Sequence, residues 1–277
     1  MEQARGALEL TRPANAVAAG GLTFIGAFIA GGTHAPVQTS LAVLATVLAT
    51  GGGNAINDYF DRDIDAINQP SRPIPRGAIR PRVALGFSLC LFVGAVGLTL
   101  LLPLLAIAIA SVNLLALIAY TELFKGLPGV GNALVAYLTG STFLYGGAAV
   151  GGDIETVLIL FVLAAGATMA REIVKDVEDI EGDRKEGLET LPIAVGERYA
   201  LAVAAAFVVS ALVVSPLPYL LGTFDAVYLL LLVPTVVGLL FGTYRSFDDP
   251  ETGQKWLKVS MFAAAIAFVA GRAAALL

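Results

Sequence analysis

Asn57-Asp58-Tyr59-Phe60-Asp61-Arg62-Asp63-Ile64-Asp65 and Lys175-Asp176-Val177-Glu178-Asp179-Ile180-Glu181-Gly182-Asp183 carry acidic triads with the same internal steps, 118 residues apart. Steps of three and then four residues set Asp58, Asp61 and Asp65 on one face of a helix, and likewise Asp176, Asp179 and Asp183. Each triad directly follows a long apolar run. Three crowded carboxylates repel one another unless a cation neutralises them, and hard cations such as Mg²⁺ take oxygen ligands. Two such faces beside a membrane point to a diphosphate held between metal ions.

Outward from the triads, the 277-residue chain is 57% hydrophobic and 14% charged, with a mean hydropathy of +0.81. A soluble domain carries about 25% charged residues. A bilayer core of about 30 Å needs about 20 apolar residues per helix. That ruler predicts nine spans, at about 14–32, 37–57, 83–102, 104–120, 130–150, 155–174, 199–221, 226–244 and 259–276. The runs do not alternate as barrel strands do. The expected fold is therefore all-α, a single polytopic membrane domain over 1–277 with nine transmembrane helices around a central cavity.

Basic residues orient it. Sixteen of the seventeen Lys and Arg fall on one side of a nine-span chain, and only Arg272 lies near the other. By the positive-inside rule the N-terminus and both triads face the cytoplasm. The formal charge of −5 says little about partners, and nothing in the chain points to nucleic acid. Cys90 is the only cysteine, so an intrachain disulfide is impossible.

The connection from 58 to 82 carries Pro70, Pro73, Pro75 and Pro81 among arginines, and reads as a stiff, ordered lid. Gly147–Gly151 and Gly238–Gly242 fit the small-residue spacing that lets helix backbones approach. Asp61-Arg62-Asp63-Ile64-Asp65 superficially matches a calcium loop, but Ala66 replaces the turn glycine and Arg72 the bidentate acid. One His and one Cys leave no zinc site or His-based triad for the acidic side. Arg171 and Lys175 sit one turn apart on the second acidic helix, and Arg72 and Arg76 follow the first. Arg171 and Lys175 suit phosphate oxygens. Arg80, Arg82, Lys255 and Lys258 read as interface anchors, as do Trp256 and Tyr244.

These residues resemble the two aspartate-rich signatures of the UbiA superfamily of intramembrane prenyltransferases, and the resemblance covers nearly the whole chain. Gly53–Asp61, Asn68–Gly77, Val135–Ser141, Arg171–Asp179 and Thr190–Ile193 are closest to the archaeal digeranylgeranylglyceryl phosphate synthases. The resemblance implies that Asn57, Asp61 and Asp65, with Asp58, hold one Mg²⁺. It implies that Asp179 and Asp183, with Asp176, hold another. Arg72 and Lys175 would grip the diphosphate. Tyr120 and Lys125 stand where the family has Tyr-x-x-x-Lys, spaced one residue wider. Arg12 and Asn15 match the Arg-Pro-x-Asn opening of the first helix. The implied substrates are geranylgeranyl diphosphate and geranylgeranylglyceryl phosphate, with Arg76 or Lys125 available for the second phosphate. An aromatic acceptor, as in quinone or haem O biosynthesis, is the alternative. A transporter is disfavoured because its coupling acids would lie at mid-membrane.

Overall fold

The computed structural model describes residues 2–119, 124, 127–185 and 187–277, the side chain of Ala119 apart. Tyr120 and Lys125 thus lie outside the described residues. All regular structure within them is helical: α1 (Glu2–Leu10), α2 (Pro13–Ile29), α3 (Pro36–Phe60), α4 (Arg62–Asn68), α5 (Pro81–Thr99), α6 (Leu104–Ala119), α7 (Val130–Ala149), α8 (Ile154–Glu178), α9 (Ile180–Lys185), α10 (Leu191–Val195), α11 (Glu197–Val214), α12 (Leu217–Leu220), α13 (Ala226–Arg245) and α14 (Pro250–Ala275), with one 3₁₀ turn at Gly32–His34.

The starts of these helices are written in the chain. Pro13, Pro36, Pro81 and Pro250 occupy first turns, where the missing N–H costs nothing. Asp153, Asp225 and Asp249 cap α8, α13 and α14 by accepting from backbone amides at 3.2, 3.0 and 3.0 Å. Hydrogen bonds from Thr156 hold the Asp153 carboxyl below its ordinary range.

Among the described residues each expected span overlaps helix, the one at 199–221 taking in both α11 and α12 and the one at 259–276 beginning nine residues inside α14. Six segments are long and apolar enough to cross a membrane: α3, α5, α8, α11 with α12, α13 and α14. The helices α2 and α6 are apolar but shorter, at 17 and 16 residues, and α7 spends part of its 20 residues on Gly, Ser, Thr and Asn. The chain is a multi-pass membrane protein.

Packing closes the bundle. Helix α2 lies against α3 and α7, α7 against α8, α8 against α11 and α14, and α14 against α13. At the α2–α7 crossing a Cβ on Gly26 would strike the carbonyl of Phe143, and one on Gly146 the carbonyl of Thr23. These two backbones touch. Gly238 and Gly242 similarly admit α14, at Ser260 and Leu257, as their spacing predicts. Gly151 does not pack: it turns the chain at φ +62°.

The 58–82 connection is ordered as expected. Its Ile74 and Ile79 are buried with Leu10, Ala55 and Ala84, so it lies over the start of α5 and against α1.

Candidate active site

Both acidic segments break their helices at the same place. Helix α3 ends at Asp61 with φ −83° and ψ 2°, and α8 ends at Asp179 with φ −91° and ψ 4°. The hydrogen-bond step continues across each break. Asp61 N donates to Asn57 O at 2.8 Å and Asp65 N to Asp61 O at 2.8 Å. Asp179 N donates to Lys175 O at 2.9 Å and Asp183 N to Asp179 O at 3.0 Å. The bridge region these middle aspartates occupy is sparsely populated and common at active sites. The repeat in the sequence is therefore a repeat in backbone shape. Instead of one straight helix per triad, there are a long helix, a bend, and a short helix.

The spacing sorts the acids as helical geometry requires. Asp58 and Asp65 are buried, and Asp63 between them is 88% exposed at its side chain. Asp176 and Asp183 are half-buried, whereas Glu178 and Glu181 face outward. Asp179 is the most open of the second set, at 52%.

At the first bend the acids meet arginines. Arg12 Nη2 lies 2.6 Å from Asp58 Oδ1, and Arg72 Nη1 lies 2.5 Å from Asp65 Oδ2 and 3.4 Å from Asp58 Oδ1. Arg12 reaches Asp58 from a left-handed backbone at φ 46°, between α1 and α2. Asn54 Nδ2 donates to Thr11 O at 2.9 Å and holds that junction against α3. Two buried carboxylates are balanced by two guanidiniums.

At the second bend the partners are neutral. Asn132 Nδ2 of α7 donates to Asp176 at 2.8 Å, and Thr190 Oγ1 donates to Asp183 at 3.1 Å. Lys175 Nζ stands 4.0 Å from Asp179. Burial lifts the Asp183 carboxyl above the ordinary range; the Thr190 bond opposes this and the Asp179 charge adds to it.

A cavity of about 680 Å³, within the roughly 300–1,000 Å³ of ordinary ligand sites, opens inside the bundle, with Asn57 of α3 and Glu172 of α8 in its wall. All nine long helices contribute to its wall, which is mainly apolar. Asn15, Asn54 and Asn57 line it beside the first bend, and Arg171 and Glu172 line it one turn before Asp176.

The predicted site residues divide accordingly. Arg12, Asp58, Asp65 and Arg72 form one network. Asn57 and Arg171 open on the cavity. Asp61 ends α3, and Lys175 and Asp179 flank the second bend. Arg76 goes elsewhere: its Nη2 pairs with Glu9 at 2.5 Å and its Nη1 with Ser71 O at 2.8 Å, bracing the connection against α1. The hydrogen bond from Arg76 holds the Glu9 carboxyl below its usual range. The expected contact of Arg76 with the second phosphate is thus not what holds this side chain here; Glu9 and Ser71 O are. Sequence reasoning missed Asn132, Thr168, Glu172 and Lys258. The last three line the cavity, and only the same-face spacing of Thr168 and Glu172 with Arg171 hinted at them.

All the acids, with the Asn57 amide, present hard oxygen donors, which fits Mg²⁺. Among the described residues no three His, Cys, Asp or Glu side chains gather closely enough to hold an ion alone. The expectation of three carboxylates per ion gives way to a looser set, because arginines engage Asp58 and Asp65 and Asn132 engages Asp176. Mg²⁺ ordinarily takes one or two carboxylates and completes its shell with water and substrate phosphate, so the donor set still fits.

The UbiA prenyltransferase family matches residues 19–266. A digeranylgeranylglyceryl phosphate synthase of Natronomonas pharaonis is 73% identical over 274 residues, covering 99% of each chain. A solved chain described as giving structural and mechanistic insights into digeranylgeranylglyceryl phosphate synthase in membranes is 37% identical. It superposes with a TM-score of 0.85 over 98% of this chain and 99% of its own. A UbiA homologue from Archaeoglobus fulgidus bound to GPP and Mg²⁺ shares the fold at 20% identity, with a TM-score of 0.73 over 98% of this chain and 100% of its own. Repeated acid-bearing bends over an apolar cavity and a match along nearly the whole chain agree: the protein belongs to the UbiA prenyltransferase family.

Proposed function

We propose that this protein transfers a geranylgeranyl group from its diphosphate to the free secondary hydroxyl of geranylgeranylglyceryl phosphate. The product carries the second ether bond of an archaeal membrane lipid. The observation that carries the reading is the pair of matching bends, at Asp61 and Asp179, beside one apolar cavity. The relatives named above support the choice of acceptor.

The Asn57 amide with the acids of the first bend (Asp58, Asp61, Asp65), and the acids of the second (Asp176, Asp179, Asp183), would hold Mg²⁺. When bound, it supplies positive charge that stabilises the departing diphosphate. Arg72 and Lys175, and Lys125 beyond the described residues, offer cationic contacts to diphosphate oxygens. The allylic C1–O bond breaks with its electron pair leaving on diphosphate, and the acceptor oxygen bonds to C1. The hydroxyl proton passes to a diphosphate oxygen or to one of the aspartates. Apolar walls exclude water that would otherwise capture the allylic cation. Membrane crossing by all nine long helices, with both bends on the cytoplasmic side, is the topology that the one-sided Lys and Arg favour.

The deciding experiment offers purified protein Mg²⁺, geranylgeranyl diphosphate, and glyceryl ether phosphate and 4-hydroxybenzoate side by side. The expected product mass is the doubly prenylated glyceryl phosphate. Exclusive prenylation of the benzoate would overturn the acceptor assignment and leave the family untouched.

A further inference from the structure

The wall of the cavity made by α8 and α14 carries charge that neither bend uses. Among the described residues the charged groups lining the cavity are Arg171, Glu172 and Lys258, two cations against one carboxylate. Arg171 Nη1 donates to Glu172 at 2.5 Å, and its Nε is buried with no partner. Lys258, about a third of the chain away and expected at the interface, has no carboxylate within 4.0 Å of its Nζ among the described residues. Lys258, an exposed residue that also lines the cavity, therefore brings to a largely apolar wall a positive charge with no carboxylate partner. The first bend, with its two arginines and two buried aspartates, has no such surplus.

A third group stands beside them. Thr168, one turn deeper than Arg171, is 3% exposed, lines the cavity, and has no partner for Oγ1. A helical threonine normally returns its hydroxyl to the carbonyl four residues back. Thr46, Thr235 and Thr243 do so here at 3.0, 3.3 and 2.8 Å. Thr168 lines the cavity, but its Oγ1 is sealed off without a partner, which costs free energy until a turn of the side chain lets something in the cavity accept from it.

The groups share a depth. Arg171 lies seven residues before the end of α8, and Lys258 eight residues after the start of α14. At about 1.5 Å per residue both stand roughly 10–12 Å in from the acidic end. Helices α8 and α14 pack against each other. We propose that Arg171, Lys258 and Thr168 seat the phosphate monoester of the acceptor, apart from the bends that take the diphosphate. Such a phosphate carries a charge of about −1.5 to −2 at neutral pH and offers three strong acceptor oxygens. The Arg171 fork, the Lys258 point charge and the Thr168 hydroxyl match those oxygens, and Glu172 orients the fork. The reacting hydroxyl is on the carbon next to the one bearing phosphate, so fixing the phosphate fixes the nucleophile. This seat rests on the acceptor proposed above.

The test is steady-state kinetics of the full chain with Mg²⁺, geranylgeranyl diphosphate, and two acceptors: geranylgeranylglyceryl phosphate and the same glyceryl ether without phosphate. Lys258→Ala is expected to raise the KM for the phosphorylated acceptor about 10- to 100-fold, with the donor KM unchanged. The preference over the phosphate-free acceptor falls by the same factor. Lys258→Arg restores most of it, and Thr168→Val gives a smaller loss of the same kind. Should Lys258→Ala not fold, Lys258→Gln and Thr168→Val read the same selectivity. An unchanged acceptor KM, an equal loss on both acceptors, or a loss confined to the donor would overturn the seat. A wild type that ignores both glyceryl acceptors would instead overturn the proposed function, a result distinct from all of these.

Discussion

The two bends share a backbone and differ in what neutralises them. Asp58 and Asp65 are nearly sealed, and Arg12 and Arg72 balance them. Asp176 and Asp183 are more open and rest on an amide and a hydroxyl. Desolvation explains the difference. A carboxylate taken fully from water needs an opposite charge close by, whereas a half-wet one is stable with a neutral donor. The pairing of Asp58 and Asp65 with Arg12 and Arg72 thus pins the α1–α2 junction, α3 and the 58–82 connection together, with Asp61 outside that set of pairs. The second bend has negative charge still to be met, and cations for a bound anion on the wall beside it.

The largest expected effect would test whether the bends are equals in chemistry. Asp61→Ala and Asp183→Ala are each expected to cut turnover by roughly 100- to 1,000-fold, with melting temperatures close to wild type. Single-turnover product analysis and a thermal melt in detergent read both quantities. Wild-type activity in either variant would remove that bend from the reaction.

Stability should separate the bends next. Arg72→Ala leaves two buried carboxylates with Arg12 alone and is expected to cost about 2–4 kcal/mol. Asn132→Ala removes a neutral donor from Asp176 and should cost about 1–2 kcal/mol. Equal losses in denaturant melts would contradict the contrast.

Acid gives the smallest and most diagnostic effect. The native Glu9 carboxyl sits below its unfolded value, so its bond to Arg76 contributes stability above about pH 4.5 that is lost as pH falls through the native value. Asp183 is raised instead. It carries a penalty at neutral pH that is relieved as pH falls from its native value toward about 4. In metal-free protein, Glu9→Gln should flatten the acid loss of melting temperature, and Asp183→Asn should flatten the opposing gain. An acid slope unchanged from wild type in either variant would contradict the shift assigned to that carboxyl.

Much of this was legible in the residues. Apolar runs located most of the long helices within a few residues, though α14 begins nine residues before its expected start, prolines and aspartates marked helix starts, and the three-and-four spacing separated Asp58 and Asp65 from Asp63. The proline-rich connection read correctly as ordered. The bends at Asp61 and Asp179 were not legible, since no glycine or proline marks them and the hydrogen-bond ladder runs on. The surroundings of Arg76 and Lys258 were not legible for a different reason. A surface pairing such as Arg76 with Glu9, 67 residues apart, leaves no periodic trace. A helix that is apolar on nearly every side does not announce which face turns inward.

The sequence by itself determined that the chain is a helical membrane protein with two carboxylate-rich helix ends, because burying backbone in hydrocarbon and crowding negative charge leave few alternatives. Only the tertiary structure decided how each helix is rotated about its axis. That rotation brings Lys258 to the cavity, while Arg76, in the turn between α4 and α5, is held by Glu9 of α1. The rotation is set by close contacts such as Gly26 against Phe143 and Gly238 against Ser260, which depend on residues far apart in the chain.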